Sequence, residues 1–224
     1  LPCRYRVATE NTRFAMPETG IGLFPDVGGG WYLPRLSGQV GKFLALTGAR
    51  LDGAECLALG LATHYLAGAD IGAAIAALHD ATAIGATLKA HGTGAPLARI
   101  VENRAYIDRL FAGESVTAIM AALEADGGDW AARELATLRT KSPLSMAVAL
   151  RQLREGAAMP DFAAEMRQEY AIGARVVHTP DFIEGVRALI VDKDNAPRWV
   201  AEIDLAQIDA IFAPMPSADE WNPQ

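Results

Sequence analysis

The chain has 224 residues, is 51% hydrophobic and 21% charged, and carries a net charge of −7, enough to bury a core as one domain or as one domain with an appendage. The acidic balance, without clustered Lys and Arg, argues against a nucleic-acid partner. The lack of a run of about 18 apolar residues, a signal segment or an Arg-rich presequence argues against a membrane span and export.

In chain order, Arg4–Ala8 and Arg13–Met16 read as two short β-strands separated by the polar turn Thr9–Thr12. Pro25, Asp26, Val27 and three glycines then form a loop feeding a short helix at Trp31, with Asp26 near its amino end. Pro34 and Gly38 punctuate it. A helix is predicted over Gly41–Thr47, another capped by Asp52 through Leu59, and Gly60–Leu66 reads as a turn into a buried strand carrying His64. Past Gly68 the pattern becomes helical, at about 70–90, 97–111, 115–125 and 129–140. Core packing is the expected role of the Ala-rich 69–90 stretch. Ser142-Pro143 opens a helix through Glu155, Pro160-Asp161 one through about Val177, and Thr179 to Asp181 one through Leu189, before a polar tail from Asp192. The division expected is 1–67, 68–140, 141–204 and a tail over 205–224.

The stretch Phe14–Gly30 sets Glu18 and Asp26 in an apolar, glycine-punctuated run. Apolar surroundings penalise a charged carboxylate, so burial tunes both groups toward proton transfer near neutral pH. Taken alone, Asp26 is an ordinary helix cap and Glu18 a solvated or paired side chain. Gly28, Gly29 and Gly30 lack the spacing of a dinucleotide fingerprint, so tight turning and close packing are their expected purpose. His64, His79, His91 and His178 have no partner at metal-ligand spacing, so no metal site is expected. No serine sits in a nucleophile elbow and neither cysteine lies beside a histidine. Cys3 and Cys56 are too few for a disulfide framework and point to a reducing, cytoplasmic setting.

The run AMPETGIGLFPDVGG over 15–29, then LPRL over 33–36, ALTG over 45–48 and GLATH over 60–64, resembles in order the central signature of the crotonase (enoyl-CoA hydratase/isomerase) superfamily. The Phe24-Pro-Asp26 triplet is similar to the 3-hydroxyisobutyryl-CoA hydrolase branch. So are KSPLS over 141–145, LRQL over 150–153, DFIEGVRA over 181–188 and DKDNAPRW over 192–199. The resemblance implies an α/β fold, the C-terminal part of a ββα spiral followed by a mainly helical region. It also implies hydrolysis of a short 3-hydroxyacyl-CoA thioester, as in valine breakdown, to free acid and CoA. Glu18 then matches the catalytic glutamate and Asp26 the aspartate near the acyl end, while Gly22, Phe24, Val27 and Gly28 are assigned to substrate binding. No cofactor is implied, CoA being part of the substrate.

Glu18 can attack the carbonyl or act as general base for water, and the residues do not choose between these routes. Ionised Asp26, an acceptor only, suits the β-hydroxyl. The resemblance also implies that the segments supplying the oxyanion N–H groups, with most of the CoA surface, lie upstream of Leu1-Pro-Cys3. Enoyl-CoA hydration or isomerisation therefore stays open. So does a non-catalytic fragment whose sheet edge at Arg4–Ala8 favours a homo-oligomer or another chain.

Overall fold

The computed structural model describes residues 3–216 and 219–221; the remaining residues of the expected 1–67 and 205–224 segments lie outside the described residues. In chain order the elements are β1 (Val7–Ala8), α1 (Gly29–Tyr32), α2 (Val40–Thr47), α3 (Gly53–Ala58), β2 (His64–Tyr65), α4 (Ile71–His79) and α5 (Ile84–Ala90). They continue with α6 (Arg99–Glu102), α7 (Arg104–Leu110), α8 (Val116–Asp126), α9 (Asp129–Leu138), α10 (Pro143–Ala158), α11 (Phe162–Val176), α12 (Pro180–Val186) and α13 (Leu205–Phe212). The chain is thus α/β, with three helices between the two strands of a small sheet and a mainly helical remainder after β2. It folds into two units, Leu1–Ala15 with Arg50–Ala105 and Met16–Ala49 with Tyr106–Gln224.

In the first unit β1 and β2 pair in parallel, Val7 opposite His64 and Ala8 opposite Tyr65. The Thr63 hydroxyl locks their entry, accepting from the Arg6 amide at 2.8 Å and donating to the Arg6 carbonyl at 3.0 Å. The strand expected over Arg13–Met16 is reduced to one antiparallel bridge, Phe14 to Leu51. His64, expected to be buried, is only half-buried, with its ring 2.8 Å from the Thr63 hydroxyl. Asp52 caps α3 as its sequence position predicts, in a full capping box: its carboxylate accepts from the Glu55 amide and Glu55 accepts from the Asp52 amide. The other Glu55 oxygen accepts from the Ile100 amide at 3.1 Å, joining α3 to α6.

The 70–90 helix is split by Asp80–Ala83. Its packing also differs from expectation, because α4 and α5 bury only Ala74 and Leu88, leaving Ile75 and Ile84 exposed. Alanine favours helix by its backbone propensity without needing a partner face, so Ala content here signals helix rather than core.

The second unit is built around α10, capped by Ser142 with Pro143 in its first turn. It meets α1 where Gly156 faces the backbone of Gly30, whose carbonyl would lie 2.0 Å from any Cβ at position 156. Phe24, Leu144, Val148, Ile172, Val176, Ile208 and Ile211 form an apolar core between α10, α11 and α13. Phe43, Phe111 and Trp130 pack as a second aromatic group, Phe43 and Phe111 edge to face at 5.3 Å. Within the expected polar tail, α13 forms because Asp204 caps its amino end and Ile208 and Ile211, at i and i+3, share the buried face.

Candidate active site

Glu18 opens a 3₁₀ turn behind Pro17, whose carbonyl accepts from the Gly20 amide at 2.9 Å. The next residue fixes the turn on both sides. Thr19 is fully buried; its hydroxyl donates to the Leu46 carbonyl at the end of α2, and its carbonyl accepts from the Ser142 amide at the start of α10. Asp181 extends the tie, accepting from the Ser142 hydroxyl at 2.5 Å and from the Val200 amide at 2.9 Å. Gly22 has φ +77°, and a Cβ there would meet the Asp181 carbonyl at 2.3 Å. The chain needs glycine at this point for both conformation and space.

Glu18 Oε2 is buried and accepts no hydrogen bond among the described residues. Its carboxyl is pushed up to about 7, chiefly by burial, with the nearby charge of Asp26 adding to the rise. Burial also raises Asp26 above the ordinary carboxylate range. The two carboxylates expected from the sequence therefore stand close enough to sense each other, in surroundings that favour proton exchange near neutral pH.

Asp26 does not cap a helix. The residue in the cap position of α1 is Gly28, with φ +84°, and it is the Asp26 backbone carbonyl that accepts from the Gly29 amide, leaving the side chain free of that task. Val27, just before, has φ +48° and is 75% exposed. Two successive left-handed residues turn the Asp26 carboxylate toward a cavity of about 330 Å³, lined also by Leu23, Phe24, Glu169, Tyr170 and Phe182. Phe24 belongs both to this wall and to the apolar core. Glu18 does not line that cavity. A larger one, about 480 Å³, contains neither Glu18 nor Asp26, and its Lys42 and Arg151 are already paired with Glu114, Glu155 and Asp209.

Sequence reading missed the acidic face of α11. Glu169 Oε2 accepts from the Gly28 amide at 2.8 Å. Glu165, one turn earlier, is fully buried; its Oε1 faces Gln152 Nε2 at 3.5 Å, and its Oε2 has no partner. Burial, then the charge of Glu169, pushes Glu165 up to about 7. The same Gln152 nitrogen donates to the Pro25 carbonyl at 3.0 Å. Gly30 lies against this group, and a Cβ there would sit 2.3 Å from Glu165 Oε1. The signal was present: Glu165 and Glu169 share the i, i+4 face with buried Ile172 and Val176. Among the described residues no group of His, Cys, Asp and Glu is arranged to hold a metal ion, and no helix is long and apolar enough to cross a membrane.

The enoyl-CoA hydratase/isomerase family profile matches residues 1–212. The chain is 38% identical, over 97% of its length, to the mitochondrial 3-hydroxyisobutyryl-CoA hydrolase of Dictyostelium discoideum, of which it covers 60%. It is 42% identical, over 88% of its length, to 3-hydroxyisobutyryl-CoA hydrolase 1 of Arabidopsis thaliana, covering 55% of that protein. The crystal structure of a carnitinyl-CoA dehydratase from Mycobacterium thermoresistibile superposes with a TM-score of 0.88 at 36% identity, over 96% of this chain and 63% of that one. The chain thus spans about 60% of the length of the curated relatives it matches.

Proposed function

The chain belongs to the enoyl-CoA hydratase/isomerase (crotonase) family, and from that premise we propose that it serves hydrolysis of a short 3-hydroxyacyl-CoA thioester, with 3-hydroxyisobutyryl-CoA as the representative substrate. The observation that carries the reading is Glu18: a carboxylate fixed by a rigid turn, with one buried oxygen lacking any hydrogen bond and a pKa about 7. Its ionised form either attacks the thioester carbonyl carbon, expelling CoA thiolate and leaving an anhydride for water to open, or takes a proton from water that attacks the same carbon. Either route yields free acid and CoA. Asp26, at the polar end of an otherwise largely apolar cavity, accepts the β-hydroxyl hydrogen.

The reading uses no cofactor beyond the CoA of the substrate. The cytoplasmic setting is part of it and rests on the free thiols of Cys3 and Cys56; the Dictyostelium relative carries a mitochondrial designation in its name. A second reading, hydration of an enoyl-CoA, draws on the similarity to the dehydratase structure. It predicts loss of enoyl absorbance rather than thiol release.

The deciding experiment follows thiol release from 3-hydroxyisobutyryl-CoA with a thiol reagent, beside hydration of crotonyl-CoA, for the parent chain and Glu18→Ala. Thiol release that falls by about 10²-fold or more in the variant is the expected result. Release that survives the substitution removes Glu18 from the chemistry, and hydration without release replaces the hydrolase reading by the second.

A further inference from the structure

Asp26 would serve the reaction only from a fixed position, and its own turn is poorly suited to hold one. The turn has left-handed backbone at Val27 and at Gly28, and Val27 is largely exposed. A β-branched residue at positive φ is an uncommon and strained conformation, kept only where neighbouring groups impose it. The group that can impose it is on α11. Glu169 is buried to 9% exposure, and its Oε2 accepts from the Gly28 amide at 2.8 Å. Behind it, the Pro25 carbonyl accepts from Gln152 Nε2 at 3.0 Å. The residues flanking Asp26 on both sides are therefore gripped from the long helices, while its own carboxylate stays at the cavity wall beside that of Glu169.

We propose that Glu169 is a positioning residue for Asp26, holding the Val27–Gly28 turn in its strained conformation through the Gly28 amide. This goes beyond the hydrolase reading and rests on it for the catalytic consequence alone. A buried carboxylate costs more desolvation than an amide would, and here it lies beside two others, Asp26 and Glu165. The arrangement has a physical justification if its charge-assisted hydrogen bond to the turn is needed, since such bonds are roughly twice as strong as neutral ones. A glutamine would preserve the contact but weaken it.

The test compares the parent chain with Glu169→Ala, Glu169→Gln and, as a control on the same helix, Gln168→Ala, whose side chain donates to Glu155 instead. Amide hydrogen exchange of the peptide spanning 24–29 is read by mass spectrometry, and kcat and KM for thiol release are measured in parallel. In Glu169→Ala, exchange at Val27 and Gly28 should accelerate by about tenfold. In the same variant kcat should fall about 10- to 100-fold, with KM within about twofold. Glu169→Gln should lie between that variant and the parent, and Gln168→Ala should match the parent in exchange over 24–29.

If Glu169→Ala or Glu169→Gln melts with the parent yet exchanges like it over 24–29, the anchoring is overturned. Faster exchange with unchanged kcat overturns the role in the reaction. Should the parent chain release no thiol, the hydrolase reading fails by itself, and the exchange comparison alone decides whether Glu169 holds the turn.

Discussion

Glu165 and Glu184 are the same functional group in opposite circumstances. Glu165 is fully buried on α11, where its Oε1 faces the side-chain amide of Gln152, and its carboxyl rises to about 7. Glu184, at the end of α12, is gripped by Arg187 through paired bonds of 2.8 and 2.9 Å, and its carboxyl falls to about 2. Asp192 and Asp194 accept from the same guanidinium, building a charged clasp over the chain that leads to Trp199. Around Asp26, by contrast, acidic groups meet backbone amides and apolar walls. One arrangement holds charge in water and fixes a segment. The other strains against charge and so keeps protons exchangeable near neutrality.

The sharpest way to break this contrast is at Glu18. Changing Glu18→Gln should lower kcat/KM by about 10²–10⁴-fold. The parent's pH profile should show an acid limb near 7, because the ionised form is required and burial holds the group up to about 7. A limb near 4.5 with undiminished activity in the variant would place the working group elsewhere.

Glu165→Gln tests the cost of buried charge. Folded Glu165 holds its proton up to about 7, against 4.5 in the unfolded chain, so between those values the folded state binds more protons. Its contribution to stability is therefore full below 4.5 and is lost as pH rises toward 7. Relative to the parent, the neutral variant should gain on the order of 2–3 kcal/mol on passing from pH 4 to pH 8. Urea midpoints at the two pH values read this directly, and parallel curves for parent and variant would mean that Glu165 is not the titrating group.

Gly30→Ala crowds the same spot, since its Cβ would fall on Glu165 Oε1 with Gln152 close behind. A loss of about 2 kcal/mol in urea unfolding is expected, within the usual range for overpacking. The smallest effect belongs to the clasp: Asp192→Asn, which removes one half-exposed partner of Arg187 and leaves Glu184 and Asp194 in place, should shift the melting temperature only slightly, and less in high salt, because exposed charges are screened. A large, salt-independent loss there would erase the distinction between the two regions.

Much of this was legible in the residue order. The caps at Asp52, Ser142, Asp161 and Thr179 all stand where the sequence sets them, each accepting from a first-turn amide. Such bonds span three residues and need no tertiary partner. The Ala-rich stretch is helical as its composition predicts, yet largely unburied, because composition carries propensity without saying which face meets a neighbour. Helix α13 is weakly marked in the sequence, since its apolar face is short and framed by polar residues.

The sequence by itself determined the family, the α/β class, the pairing of Glu18 with Asp26 in one apolar run, and the glycines that let the chain turn between them. Only the tertiary structure decided that Glu165, Glu169 and Gln152 surround the Asp26 turn, more than a hundred residues away along the chain. Local order is encoded in bonds between near neighbours. The electrostatic environment of a carboxylate depends on which distant helices exclude water from it, and that is set only when α10 and α11 pack against the turn.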